Sequence, residues 1–223
     1  MPRLLGALIL ICALVGGSDA RAAEQALDVL DAQVSYSADF TMTGPRGAYT
    51  GRVWHAPGSE RREVATQGGG QGVLIHRDTG TAYFLGIGGK WYVSLSMEAA
   101  STLIGGLQSW EITRTRIGEE NVAGVRATRW NAQATGPKGG FEGEIWTSRD
   151  GIVLKAVGTV AAPGGNRSPV EMTLSRLKVG TVDPQMLEVP EGWFSLDLRK
   201  LPADRVVQAI EGMKPMLDKR GSH

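Results

Sequence analysis

The hydrophobic pattern of residues 33–42 predicts a β-strand with one apolar face. Val34, Tyr36, Ala38, Phe40 and Met42 alternate with polar residues. Side chains of a strand point alternately to the two faces of a sheet, so these five share one face. A Gly-Pro-Arg-Gly turn at 44–47 then leads into a second strand at 48–56. The two strands form a long hairpin that opens an antiparallel sheet.

Strand-like stretches separated by turn residues continue along most of the chain. We predict further strands at 61–66, 73–75, 81–85, 90–95, 110–117, 125–133, 141–147, 152–160 and 169–179. Glycine-rich turns are expected at 118–124, 136–140 and 149–151. The proline-rich segment 182–193 is expected to run along a sheet edge. The pattern predicts a mainly β protein with a few helices, built on one curved antiparallel sheet.

Three stretches have the period of a helix instead. A short amphipathic helix is expected at 23–32 and a C-terminal helix at about 202–218, opened by Pro202. Between them, apolar residues recur every three or four positions from Met97 to Leu107, with Ser96 as the N-cap. This helix either covers one side of the curved sheet as a movable plug or is a fixed core helix.

The N-terminus has the three parts of a secretory signal peptide. Arg3 precedes an apolar run, and the small residues Ala20 and Ala22 follow it. We expect cleavage of residues 1–22, which leaves 23–223 as a single domain; an uncleaved anchor is the alternative. Cys12, the only cysteine, lies within the apolar run, so the mature chain forms no disulfide. An exported protein without disulfides fits a bacterial periplasm.

The net charge of the mature chain argues against nucleic-acid binding. Removing Arg3, Arg21 and Asp19 with the signal takes the 24 basic and 23 acidic residues to a net charge of zero. A nucleic-acid-binding protein would carry a basic surface, so no nucleic-acid partner is expected.

Candidate catalytic and metal-binding residues are sparse. His55 and His76 lie in predicted strands without a metal-binding spacing, no serine stands in a nucleophile elbow, and Glu142 and Glu144 are expected on a solvated strand face. We therefore predict no catalytic residue, no metal and no cofactor. An enzyme would require a cleft that holds His55 or His76 beside a carboxylate.

Apolar surface is the remaining candidate for function. Six tryptophans are spread over the predicted sheet, and such rings suit both an ordinary core and the wall of an oily cavity. A sheet of about ten strands curls, and its concave face must be filled by side chains, helices or a ligand.

Several segments resemble the LolA/LolB-type lipoprotein-localisation fold. They are the opening VLDAQVSYSADFTMT, then Gly51, Trp54 and Pro57 in GRVWHAP, the late strand EIWTSRDGIVLKA and the closing MLEVPEGW. The resemblance implies an unclosed antiparallel barrel with helices over an apolar cavity for acyl chains. It also implies a monomeric periplasmic binding or carrier protein, without enzymatic activity, for a lipid or a lipoprotein acyl chain.

The cavity wall predicted from the resemblance and from strand parity consists of nine residues. These are Phe40, Met42, Val53, Leu74, Phe84 and Trp91 on strands and Met97, Leu103 and Leu107 on the helix. Arg52 is the nearest match to the lid-contacting arginine of the dedicated carriers, and the C-terminal helix extends beyond their fold. The alternative function is a structural or sensory module that has a self-filled cavity and binds a protein partner, such as one at the membrane.

Overall fold

The structure is a computed structural model that describes residues 24–25, 32–44, 47–66, 69–103, 110–136, 139–161, 166–206 and 208–209. The predicted signal peptide, Leu107 and the end of the predicted C-terminal helix lie outside these residues. Among the described residues, no helix is long and apolar enough to cross a membrane.

Thirteen strands form one sheet in the described part of the chain. Their bounds are β1 Glu24–Gln25, β2 Tyr36–Gly44, β3 Gly47–Ala56, β4 Ser59–Val64, β5 Gln71–His76, β6 Thr81–Gly86, β7 Trp91–Ser96, β8 Glu111–Val122, β9 Val125–Gly136, β10 Gly139–Thr147, β11 Val153–Ala161, β12 Arg167–Val179 and β13 Phe194–Asp197. The predicted mainly β fold is confirmed.

The sheet consists of two meanders joined side by side. Strands β2 to β7 follow one another in space, and so do β8 to β12; the pairing of β12 with β2 joins the two series. β1 pairs with β8 at one end, and β13 runs parallel to β7 at the other. Because the end strands do not pair with each other, the barrel is unclosed, as predicted.

Short helices accompany the sheet. Helix α1, Met97–Leu103, follows β7 directly. The Ser96 hydroxyl accepts a hydrogen bond from the Ala99 amide at 3.2 Å, which confirms the predicted N-cap. A 3-10 helix covers Pro184–Leu187, and residues 203–206 and 208–209 are helical.

Alternation along the strands creates the core. In β2, Tyr36, Ala38, Phe40 and Met42 are buried while their neighbours are more exposed. We call the sheet face that carries Phe40 the inner face and the opposite one the outer face. Inner-face side chains of both meanders belong to one continuous hydrophobic cluster.

Three local predictions are wrong. Glu24 and Gln25 form strand β1 rather than the start of a helix, because they pair with the edge of β8. The turn predicted at 118–124 is mostly strand: β8 continues through a bulge at Arg116/Gly118. Segment 182–193 does not form an edge strand; the edge is β13, which was not predicted.

Candidate functional site

Five of the nine predicted wall residues share the inner face. Phe40 and Met42 lie on β2, and Val53, Phe84 and Trp91 lie on β3, β6 and β7. The register connects them: Val53 faces Ala38 across one strand pair, and Phe84 faces Val93 across another. Phe40, Met42, Val53 and Phe84 are at most 7% exposed, and Trp91 is partly buried against the same cluster. These five residues therefore belong to one apolar cluster on the inner face.

Leu74 lies on the opposite face, so its assignment to the wall is wrong. It pairs with Arg61 on one side and Tyr83 on the other, and both are outer-face residues. Its neighbour Val73 faces Phe84 instead. Three apolar residues follow one another in β5, so no alternation with polar residues shows which of them faces inward. Only the pairing with neighbouring strands assigns their faces.

The three wall residues assigned to the helix are only partly described. Met97 begins α1 and is half-buried, and its amide donates to the Gly80 carbonyl at 2.8 Å. Leu103 ends α1, but its side chain lies outside the described part of the structure, as does Leu107. Their place in a cavity wall stays a prediction.

Arg52 does not reach the inner face, so the structure contradicts its predicted contact with a lid over that face. It pairs across β2 and β3 with Asp39, with Nε 3.8 Å from the Asp39 carboxylate. Its guanidinium also lies 5.3 Å from the ring centroid of Trp54. This cation–π contact belongs to the outer face, because Trp54 has the opposite parity from Val53.

A buried charged cluster, which no sequence pattern indicated, interrupts the apolar inner face. Glu60 on β4 accepts a hydrogen bond from Nε of Arg62 at 2.8 Å and lies 3.3 Å from Nδ1 of His55. The other ring nitrogen of His55 donates to the Ala32 carbonyl at 2.9 Å. Its imidazole also stacks on Tyr36, with ring centroids 4.9 Å apart. The cluster thus ties β3 and β4 to the chain that enters β2.

Opposing effects set the ionisation of Glu60. Burial alone would raise its pKa, but the charge of Arg62, and then the hydrogen bond and charge of His55, hold the pKa well below the usual value. The ionised carboxylate is therefore part of the folded protein at neutral pH. His55 and Glu60 are 0% and 3% exposed, so the histidine stands beside a carboxylate as an enzyme would require, but not in a cleft.

The segment between β12 and β13 covers part of the outer face. Arg61 donates to the carbonyls of Met186 and Glu188, at 3.4 and 3.2 Å. His76 donates to the carbonyl of Leu187 at 2.7 Å. The side chains of β4 and β5 therefore anchor the 3-10 helix through its backbone, and His76 has a structural partner.

The carboxylates of β10 lie on the outer face, as expected. Glu142 pairs with Arg167 at 2.5 Å, and Glu144 pairs with Arg129 at 2.7 Å. In the described ranges, no group of three His, Cys, Asp or Glu side chains is placed to hold a metal ion.

Comparisons with known proteins found similar folds among solved structures. No protein-family model and no curated sequence matches the chain. A conserved protein of Thermus thermophilus aligns at 14% identity over 78% of this chain and 99% of its own, with a TM-score of 0.52. MucB aligns at 19% identity and a TM-score of 0.48, over 75% of this chain and 62% of its own.

A LolA superfamily protein, NE2245 of Nitrosomonas europaea, is also among the matches. It aligns at 10% identity over 70% of this chain and 90% of its own, with a TM-score of 0.38. The structure itself confirms the predicted mainly β fold built on one unclosed sheet. At these identities the likeness is one of fold alone, and the chain spans about three fifths of the MucB chain it matches.

Proposed function

We propose that this protein is an exported, non-enzymatic binding module that takes a lipid or a lipoprotein acyl chain on its inner face. One observation carries the proposal: Phe40, Met42, Val53, Phe84 and Trp91 pack in one apolar cluster on the inner face of a sheet that does not close. An acyl chain needs a long apolar surface and gains about 0.8 kcal/mol for each methylene that it buries.

The described helices provide limited cover for this surface. Within α1, Ala99 and Ala100 are buried, and Val206 of the C-terminal helical residues joins the cluster. Alanine side chains are small, so this cover leaves the large inner-face residues to pack against other groups, a ligand among them. An apolar face with modest cover on an open sheet supports a binding role.

A second candidate function is supported by the burial of the same residues. Phe40, Met42, Val53 and Phe84 are already at most 7% exposed without a ligand. A self-filled interior of this kind fits a module that binds a protein partner through its surface. MucB has been solved in complex with MucA(peri), which is a property of that protein.

Native mass spectrometry of protein purified from a periplasm tests the leading proposal. We expect bound lipid in the spectrum and saturable uptake of a fluorescent fatty acid by delipidated protein. Repeated absence of both would favour the self-filled module, whose partner cross-linking in cells should then capture.

A pair of adjacent core residues provides matched variants for the uptake assay. Phe84 lies on the inner face and Leu85 on the outer face, at 7% and 2% exposure. Truncating either to alanine opens a core cavity and costs stability, about 2–5 kcal/mol. Phe84→Ala should change fatty-acid affinity several-fold and Leu85→Ala should not. If both variants change fatty-acid affinity equally, the assay reflects the loss of protein stability rather than contact of Phe84 with the ligand.

A further inference from the structure

A groove of about 430 Å³ with a mixed polar and apolar lining lies along β12, β2, β3 and β4. The charged and hydroxyl-bearing side chains that line it belong to residues that face one another across these strands. The principal ones are Asp39, Thr41, Thr50, Arg52, Ser175 and Arg176. The register places Asp39 between Ser175 and Arg52, and it places Thr41 directly opposite Thr50. The groove therefore has a charged row beside a row of hydroxyls.

A β-bulge aims Arg176 into this groove. The pairing of β12 with β2 shifts between Ser175 and Lys178, and Arg176 has a φ of 51° there. In an uninterrupted strand, Arg176 would alternate with Ser175 and point to the inner face. The bulge instead brings its guanidinium to the Asp39 carboxylate. A backbone in the left-handed region is strained for an arginine, so placing Arg176 in the groove costs conformational energy.

Two arginines line the groove, and both pair with the same carboxylate. Asp39 is the carboxylate with which both Arg52 and Arg176 form ion pairs. Glu63 also lines the groove, but Arg61 holds it at 2.5 Å. The side chains of Arg52 and Arg176 remain 51% and 83% exposed. Each guanidinium carries five N–H donors, so one carboxylate leaves most of them facing solvent.

We propose that this groove is a binding site for an oxyanion, carboxylate or phosphate, held between Arg52 and Arg176. A planar guanidinium matches both kinds of oxyanion with paired hydrogen bonds. The hydroxyls of Thr41 and Thr50 line the same groove and supply further donors. Asp39 orients both arginines and competes with the ligand for them. Arg52 and its partner Asp39 lie on the outer face and the proposed acyl contacts on the inner face, so the two proposals fail independently.

Amide chemical shifts in NMR spectra of the ¹⁵N-labelled protein test the site. Inorganic phosphate, acetate and dihexanoylphosphatidic acid below its micelle concentration are titrated separately. We expect saturable shifts of the Asp39, Arg52 and Arg176 amides with at least one probe. Binding of phosphate or acetate assigns a free oxyanion as the ligand, and binding of the phosphatidic acid alone assigns a lipid headgroup. No saturable shift with any of the three probes would overturn the proposal.

Variants separate the site from general charge effects. Arg176→Gln should weaken the binding about tenfold, the size expected for one charge-assisted hydrogen bond. Asp39→Asn should strengthen it, because the internal competitor loses its charge. Arg126→Gln is the matched control: Arg126 is 84% exposed and also pairs with a carboxylate, that of Glu119. If Arg126→Gln weakens binding as much as Arg176→Gln does, the proposal is refuted. Arg52→Gln repeats the test if Arg176→Gln fails to fold.

Discussion

Replacing Glu60 with glutamine should destabilise the protein by about 3 kcal/mol. The substitution keeps the size of the side chain but removes the charge that faces Arg62 and His55, at 2.8 and 3.3 Å. All three side chains are at most 8% exposed, so solvent does not screen the loss. Removing one partner of a buried ion pair costs about 3–5 kcal/mol, because the remaining charge stays buried. The glutamine retains one acceptor oxygen for Arg62, which places the expected value at the lower limit.

Equilibrium unfolding in urea, followed by tryptophan fluorescence, measures this loss. With an m-value of about 3 kcal/mol per molar, the midpoint should fall by about 1 M. Glu119→Gln is the control, because Glu119 also binds two arginines, Arg116 and Arg126, but in an exposed cluster. Solvent screens that cluster, so its midpoint should stay close to that of the unmodified protein. A Glu60→Gln midpoint equal to that of the control would refute the assignment of a buried, ionised cluster.

Three further perturbations test other features. The folded-state pKa of Glu60 lies below its ordinary value of 4.5, so the stability from this carboxylate is present above pH 4.5 and is lost as the pH falls further. The urea midpoint of Glu60→Gln should therefore fall less steeply with decreasing pH than that of the unmodified protein. An equal dependence on pH would contradict this. Gly136→Ala should cost about 1–3 kcal/mol by thermal unfolding, because the buried ring of Trp110 occupies the place of the new methyl group. Gly118→Ala, which meets open space, should cost less. Arg61→Gln should speed amide hydrogen exchange across the 3-10 helix, because Arg61 binds one carbonyl within it and one just after it. Unaltered exchange there would exclude this anchoring role.

Local periodicity was sufficient to predict most of the strands. In β2 every second residue is apolar, so the sequence identified the buried face before any partner strand was known. The Ser96 cap and the helix after it were also local signals. The inner-face position of Phe40, Met42 and Val53 follows from the same alternation.

The remaining features depend on partners distant in the sequence. Leu74 lies in an apolar run, so only its pairing with β4 and β6 reveals its face. The four-residue strand β13 exists because β7 offers it a parallel partner. Arg176 enters the outer groove through a bulge that strand alternation cannot anticipate. The buried Glu60 was missed because the predicted third strand began after it.

The joining of β12 to β2 has a consequence for the order of folding. Within each meander, neighbouring strands are close in sequence, but Met42 pairs with Met172 across more than a hundred residues. Closing a loop of that length costs about 4 kcal/mol of chain entropy. We therefore expect the hairpins of each meander to form early and the β2–β12 seam to form last. In pulse-labelled refolding, the amides at the seam should gain protection after those of the β5–β6 hairpin.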